Sequence, residues 1–142
     1  MSREDMLARV PLFSEVSQRD LRGLAKVMVS RTYGRGDVIL KEGDDAVGMF
    51  IVASGRVEVV KGLNTNKPQP LATLGPGDFF GEMSLLDKYP RSASVRALDD
   101  TECLAFTRWD FLAELRTQPS VALQMLGVMA RRLRETDARL VE

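Results

Sequence analysis

The chain has 142 residues, the size of one ordinary domain, with 20 basic residues against 20 acidic ones, a single cysteine and no histidine. That balance gives no electrostatic footprint for nucleic acid or an anionic membrane, and one cysteine excludes an internal disulfide, a four-cysteine zinc site and a cysteine-ligated iron–sulfur cluster. Without histidine there is no histidine-based acid–base catalysis, no histidine-activated nucleophile and no histidine-held haem.

At the start, Met1-Ser2-Arg3-Glu4-Asp5 has no signal-peptide core behind it, and no apolar run approaches a membrane span. A cytoplasmic protein with no membrane segment is therefore expected. Ser17 is a capping candidate for a helix over 17–28, with acids or amides in its first turn. From Met28 to Phe106 the sequence changes character: short β-prone runs are cut by glycine-bearing turns. Val38-Ile39-Leu40 stops at Glu42-Gly43-Asp44-Asp45, Met49-Phe50-Ile51-Val52-Ala53 stops at Ser54-Gly55, and the run from Val57 to Val60 stops near Gly62. A polar loop over 62–70 precedes the strand Leu71-Ala72-Thr73-Leu74, and the last two strands are expected over 95–98 and 103–106. Such spacing predicts a small antiparallel barrel or jelly roll. The turns Gly34-Arg35-Gly36-Asp37 and Lys41-Glu42-Gly43-Asp44 need only supply positive φ angles. Cys103, in the apolar run Cys103-Leu104-Ala105-Phe106, reads as a buried structural thiol.

A short helix over 109–115 follows, then a long one opening near Pro119-Ser120. Its residues Ala122, Leu126, Met129, Leu133, Thr136 and Leu140 recur at alternating spacings of four and three, the pattern of a coiled-coil seam. Val121, Met125 and Val128 form a second apolar edge facing another way. Two edges need two covers, so the barrel is expected on one side and a second copy of the chain on the other. The alternative is one broad stripe packed wholly on the barrel.

The most informative segment is 79–95, Phe79-Phe80-Gly81-Glu82-Met83-Ser84-Leu85-Leu86-Asp87-Lys88-Tyr89-Pro90-Arg91-Ser92-Ala93-Ser94-Val95. Gly81 lets the backbone approach a ligand. The first turn of a short apolar helix is expected at Glu82, and its free amides and positive end would attract a phosphate. Arg91 adds a permanent charge in a planar fork able to grip two phosphate oxygens, whereas Glu82 only accepts hydrogen bonds and suits a sugar hydroxyl. One ligand carrying both groups is a nucleotide. The plainer alternative is a surface salt bridge between Glu82 and Arg91, beside a helix packing Leu85 and Leu86 into the core.

The order Phe-Gly-Glu-Met-Ser-Leu-Leu, a short gap, then Pro-Arg-Ser-Ala-Ser-Val resembles the phosphate-binding cassette of cyclic nucleotide-binding domains. The resemblance covers essentially the whole chain. It implies one domain over 1–142: N-terminal helices over 1–28, an antiparallel β-roll or jelly roll (double-stranded β-helix) over 29–107, and C-terminal helices over 108–142. It further implies that Glu82 binds the ribose 2'-hydroxyl and Arg91 the cyclic phosphate, with Phe80, Gly81, Met83, Ser84, Ser92 and Ala93 completing the cradle.

The end of the chain is similar to the bacterial catabolite-activator group. Gln118-Pro119 opens the helix, and Met129-Ala130-Arg131-Arg132-Leu133 followed by Thr136 resembles that group's long dimerisation helix. By this resemblance Thr136 bonds the adenine amino group and a homodimer forms. Arg131, Arg132 and Arg134 could form a nucleic-acid patch, but beside Glu135 and Asp137 they read as a solvated face with one arginine, Arg132, near the ligand. Asp137 stands where a serine is usual, at the position that in this group reaches the ligand held by the partner chain. Cyclic AMP is the expected ligand. Cyclic GMP is the alternative, because Ser92 is a hydroxyl of the kind that cyclic GMP-preferring members use. Regulators of this group continue into a helix-turn-helix domain, and this sequence contains none, so a free-standing sensor and the sensory half of a larger regulator both stay open. No catalytic residue, metal site or direct contact with nucleic acid is expected. A cupin-type enzyme is disfavoured by the missing histidines; the remaining competitor is a ligand-free dimerisation module of the same fold.

Overall fold

The computed structural model describes residues 2–45, 48–87 and 90–141, without the side chains of Met83 and of residues 137–141. The chain clusters into two units: Met28–Arg108, and the two chain ends together, Met1–Val27 with Trp109–Glu142.

The first unit is an antiparallel roll of two four-stranded sheets. Its strands are β1 (Val29–Tyr33), β2 (Val38–Leu40), β3 (Gly48–Ser54), β4 (Val57–Lys61), β5 (Gln69–Leu74), β6 (Phe79–Phe80), β7 (Ser94–Ala97) and β8 (Thr101–Thr107). One sheet runs β1-β8-β3-β6 and the other β2-β7-β4-β5. Val52, Val57, Phe80, Val95 and Cys103 form the core of the roll, with Tyr33, Leu40, Phe50 and Val59 packed at its margin. The Phe50 and Phe80 rings stack at 5.2 Å, which seats the two-residue β6 on β3 and fixes the entry to 79–95. Burial pushes the Cys103 thiol up to about 11, so at neutral pH it is a protonated core atom and a poor nucleophile.

The outermost strands are where sequence and structure differ most. β1 is largely exposed and polar, and an edge strand needs no apolar alternation because its pairing with β8 holds it. β5 begins at Gln69, inside the expected loop, and carries Pro70. At the sheet edge a missing N–H is tolerated, and the β4–β5 register is irregular at that point.

In the helical unit, Ser2 caps α1 (Arg3–Ala8) in a reciprocal capping box with Asp5. A 3-10 turn, Pro11–Phe13, leads to α2 (Gln18–Lys26), where the Ser17 hydroxyl accepts from the Asp20 N–H at 3.2 Å. α3 (Arg108–Thr117) and α4 (Pro119–Val141) follow the roll in the chain. Phe13 meets Phe111 with ring centroids 5.9 Å apart, and the Ser120 hydroxyl donates to Asp20 at 2.9 Å. Val121, Met125 and Val128 are buried, and within this unit α4 packs against the Pro11–Phe13 turn, a cover the sequence does not announce. Leu126 and Leu133, in the other seam, are 59% and 65% exposed. The Leu140 side chain lies outside the described residues. No described helix is long and apolar enough to cross a membrane.

Candidate functional site

Residues from 80–87 and 90–95 line one side of a cavity of about 390 Å³ in the roll. That volume lies in the range of small-molecule pockets, about 300–1,000 Å³. Leu40, Val59, Phe80, Ala93 and Val95 give it apolar walls, and Glu82, Ser84, Asp87, Arg91 and Ser92 supply polar groups. Strand alternation produces the walls, since Val59 and Val95 are cross-strand partners whose side chains share one face.

The Arg91 guanidinium dominates the chemistry. It is buried, 9% exposed, yet no described carboxylate pairs with it. Its Nη1 donates to Ser84 Oγ at 3.0 Å and its Nη2 to the Gly48 carbonyl at 2.7 Å, while Nε has no partner among the described residues. Burial alone pulls its pKa below the ordinary arginine value, because a desolvated cation lacks the hydration that would favour its charge. An anion in the cavity would oppose that penalty and give Nε an acceptor.

The local backbone is built around this side chain. Gly81 has φ +81°, and a Cβ there would lie 2.3 Å from Arg91 Nη1 and 3.0 Å from the Gly48 carbonyl oxygen. Only glycine satisfies both the angle and the space. Arg91's own backbone is held from both sides by the turn at 41–44. The Gly43 N–H donates to the Arg91 carbonyl at 2.9 Å, and the Arg91 N–H donates to the Asp44 carbonyl at 2.9 Å. That turn does more than supply a positive φ at Gly43: it clamps the arginine. Gly48 is also constrained, since a Cβ would sit 2.2 Å from the Phe106 carbonyl oxygen, and it is the Gly48 carbonyl that takes one Arg91 bond.

The expected short helix is a single 3-10 turn, Glu82–Leu85. Four residues accumulate little dipole, and the Ser84 N–H already donates to the Gly81 carbonyl at 3.0 Å. Positive charge in the cavity therefore comes from Arg91 far more than from the turn. Leu85 is fully buried and anchors the turn, whereas Leu86 is exposed, contrary to the plainer alternative. The salt bridge of that alternative is absent as well: Glu82 and Arg91 line the same cavity without pairing.

Of the sequence-predicted residues, Phe80, Gly81, Glu82, Ser84, Arg91, Ser92 and Ala93 come together on the cavity. Met83 belongs to the same turn, with its side chain outside the described residues. Arg132 and Thr136 lie on α4 in the helical unit, where the Thr136 hydroxyl donates to the Arg132 carbonyl at 3.0 Å. The Asp137 side chain is outside the described residues. Leu40, Val59, Asp87 and Val95 join the site unannounced. For the three apolar residues, the inward positions of alternating strands are the signal that could have found them.

Residues 30–118 match the family model described as the cyclic nucleotide-binding domain. The chain is 42% identical over 130 residues to a cyclic AMP receptor protein of Thermus thermophilus, covering 92% of this chain and 60% of that curated relative's length. Among solved structures, the N-terminal domain of a transcriptional regulator from Streptomyces coelicolor A3(2) superposes with a TM-score of 0.86 at 34% identity, covering 96% of this chain and 95% of that one. The regulatory domain of Toxoplasma gondii PKA, in a co-crystal with cAMP, gives 0.71 at 29% identity, covering 78% of this chain and 42% of that one.

Proposed function

Because this chain belongs to the cyclic nucleotide-binding domain family, a family of regulatory binding domains and not of enzymes, we propose that it binds cyclic AMP and serves as the sensory part of a regulator. The observation that carries this is a buried guanidinium whose Nε has no partner among the described residues, on a cavity that also presents the Glu82 carboxylate. In this reading Arg91 takes the cyclic phosphate, Glu82 accepts from the ribose 2'-hydroxyl, and the segment from Phe80 to Ser84 with Ser92 and Ala93 shapes the cradle. The apolar walls receive the sugar and the edge of the base. Cyclic GMP is the second reading, favoured by one feature: the Ser92 residue lines the cavity directly beside Arg91.

Binding is coupled to a change in α4 by differential affinity, with Thr136 and Arg132 meeting the purine only in the bound arrangement. The exposed Leu126 and Leu133 favour a symmetric dimer through α4 in the cytoplasm. Light scattering that finds only monomer across micromolar concentrations, with and without nucleotide, would remove the dimer. Calorimetric titration of the purified chain with cyclic AMP and cyclic GMP tests the function itself. Saturable binding, tighter for cyclic AMP, is expected; no heat with either nucleotide would leave the chain a ligand-free module, and at least tenfold preference for cyclic GMP would exchange the two readings.

A further inference from the structure

Glu42 lies in the turn that clamps the Arg91 backbone, and it ties that turn to the rest of the roll. Its Oε1 accepts from the Gly62 N–H at 2.9 Å, and its own N–H donates to Ser94 Oγ at 3.0 Å. Gly62 directly follows β4 and Ser94 opens β7, so one residue fastens the turn to two neighbouring strands of one sheet. Both anchors are firm. Ser94 is buried, and the Gly62 carbonyl accepts from the Thr65 N–H at 3.0 Å and from its hydroxyl at 2.7 Å, which closes the turn that presents the Gly62 N–H. Glu42 itself is exposed and does not line the cavity.

Left to itself the 41–44 turn has little to hold it. Its internal bond runs from the Asp44 N–H to the Lys41 carbonyl at 3.1 Å, and it pivots on Gly43 at φ +88°, with nothing within 4 Å of where a Cβ would stand. Glycine loses more conformational freedom on ordering than any other residue, so such a turn keeps one shape only when outside bonds fix it. The Arg91 guanidinium depends on that shape. Its outer end is held by Ser84 and Gly48, and its inner end by a backbone that exchanges two bonds with Gly43 and Asp44. We propose that Glu42 is a positioning residue for Arg91: by bracing the turn against Gly62 and Ser94, it fixes the backbone from which the buried guanidinium is aimed. On the nucleotide reading, on which the effect on binding rests, an arginine held at both ends needs little further ordering when a phosphate arrives, and preorganisation of this kind favours affinity.

Three chains test this: the unmodified one, Glu42→Ala, which loses the Gly62 bond, and Glu42→Gln, whose side-chain carbonyl oxygen accepts the same bond without the charge. Proton–nitrogen NMR without nucleotide reads the geometry at Arg91, calorimetric titration with cyclic AMP reads the consequence, and thermal melting checks the fold. In Glu42→Ala the Arg91 N–H and Nε–H signals should move or broaden, while the Val52 N–H, bonded to the Asp78 carbonyl at 2.8 Å elsewhere in the roll, stays where it was. A contact that only adds stability lowers the melting temperature and leaves folded-state signals in place. Affinity for cyclic AMP should fall about threefold to tenfold in Glu42→Ala, and Glu42→Gln should return the signals and bring the affinity to within about twofold of the unmodified chain. Arg91 signals unmoved in folded Glu42→Ala overturn the inference. So does an unchanged affinity in that variant, or a Glu42→Gln chain that behaves like Glu42→Ala, which would assign the effect to charge and not to the Gly62 bond. If the unmodified chain gives no heat at all, it is the nucleotide reading that has failed, and the spectra without nucleotide still decide whether Glu42 positions Arg91.

Discussion

Two regions of the roll treat arginine in opposite ways. Near the β3–β4 and β7–β8 turns, Arg56 pairs with Asp99 at 2.7 Å, and on neighbouring strands Arg96 pairs with Glu58 at 2.9 Å. The hydrogen bond to Asp99 holds the Arg56 pKa above the ordinary value, and that pair is solvent-exposed. In the cavity, Arg91 is buried, lacks a described carboxylate, and has its pKa pulled down by desolvation. A protein that needed Arg91 only for stability would have supplied it with an acid, as it supplies Arg56 and Arg96. Leaving a charge buried and unpaired is costly, and the difference supports the proposed reading in which a ligand anion is the missing partner.

The contrast can be broken by mutation, and the largest effect is expected at Arg91 itself. Truncating one partner of a buried charged pair typically costs about 2–5 kcal/mol. Arg91→Ala should therefore weaken cyclic AMP binding by well over tenfold while the chain stays folded, and calorimetry checks it; unchanged affinity would mean the guanidinium is merely a core filler. Gly81→Ala sharpens the comparison without altering any charge. Its backbone would be held at φ +81° with a Cβ 2.3 Å from Arg91 Nη1. Strain of this kind costs about 1–3 kcal/mol, so a lowered melting temperature and several-fold weaker binding are expected together. A smaller effect belongs to Glu82. Glu82→Gln should weaken cyclic AMP by about 0.5–1.5 kcal/mol and leave the 2'-deoxy analogue nearly unaffected; equal losses for the two ligands would make Glu82 structural. The smallest effect is at the other pole, where Arg56→Gln should not measurably alter nucleotide affinity and should shift the melting temperature little, because exposed pairs contribute little.

Much of this site was legible because it is contiguous. Gly81, Glu82 and the Pro90-Arg91-Ser92 run stand in order along the chain, and glycine-cut β-prone runs sufficed for the roll that carries them. What sequence could not supply is long-range. Nothing local in Lys41-Glu42-Gly43-Asp44 says that this turn exchanges two backbone bonds with Arg91, and nothing in Gly48 announces an acceptor for the guanidinium. β1 escaped individual notice because an exposed edge strand carries no apolar alternation, and β5 started early because Pro70 is tolerated at the edge. The expected helix at Glu82 proved to be one 3-10 turn, a distinction that four residues of mixed propensity cannot encode.

Whether a phosphate completes the Arg91 guanidinium is tested most directly by following its Nε–H in proton–nitrogen NMR, with the signal assigned through its loss in Arg91→Lys. Nε is the nitrogen of that group with no partner among the described residues. With saturating cyclic AMP the Nε–H signal should move downfield and become protected from exchange with water, as expected for a charge-assisted bond to a phosphate oxygen. Binding that is complete by calorimetry while the Arg91 Nε–H stays at its unliganded position and exchange rate would contradict the assignment of Arg91 as the phosphate anchor.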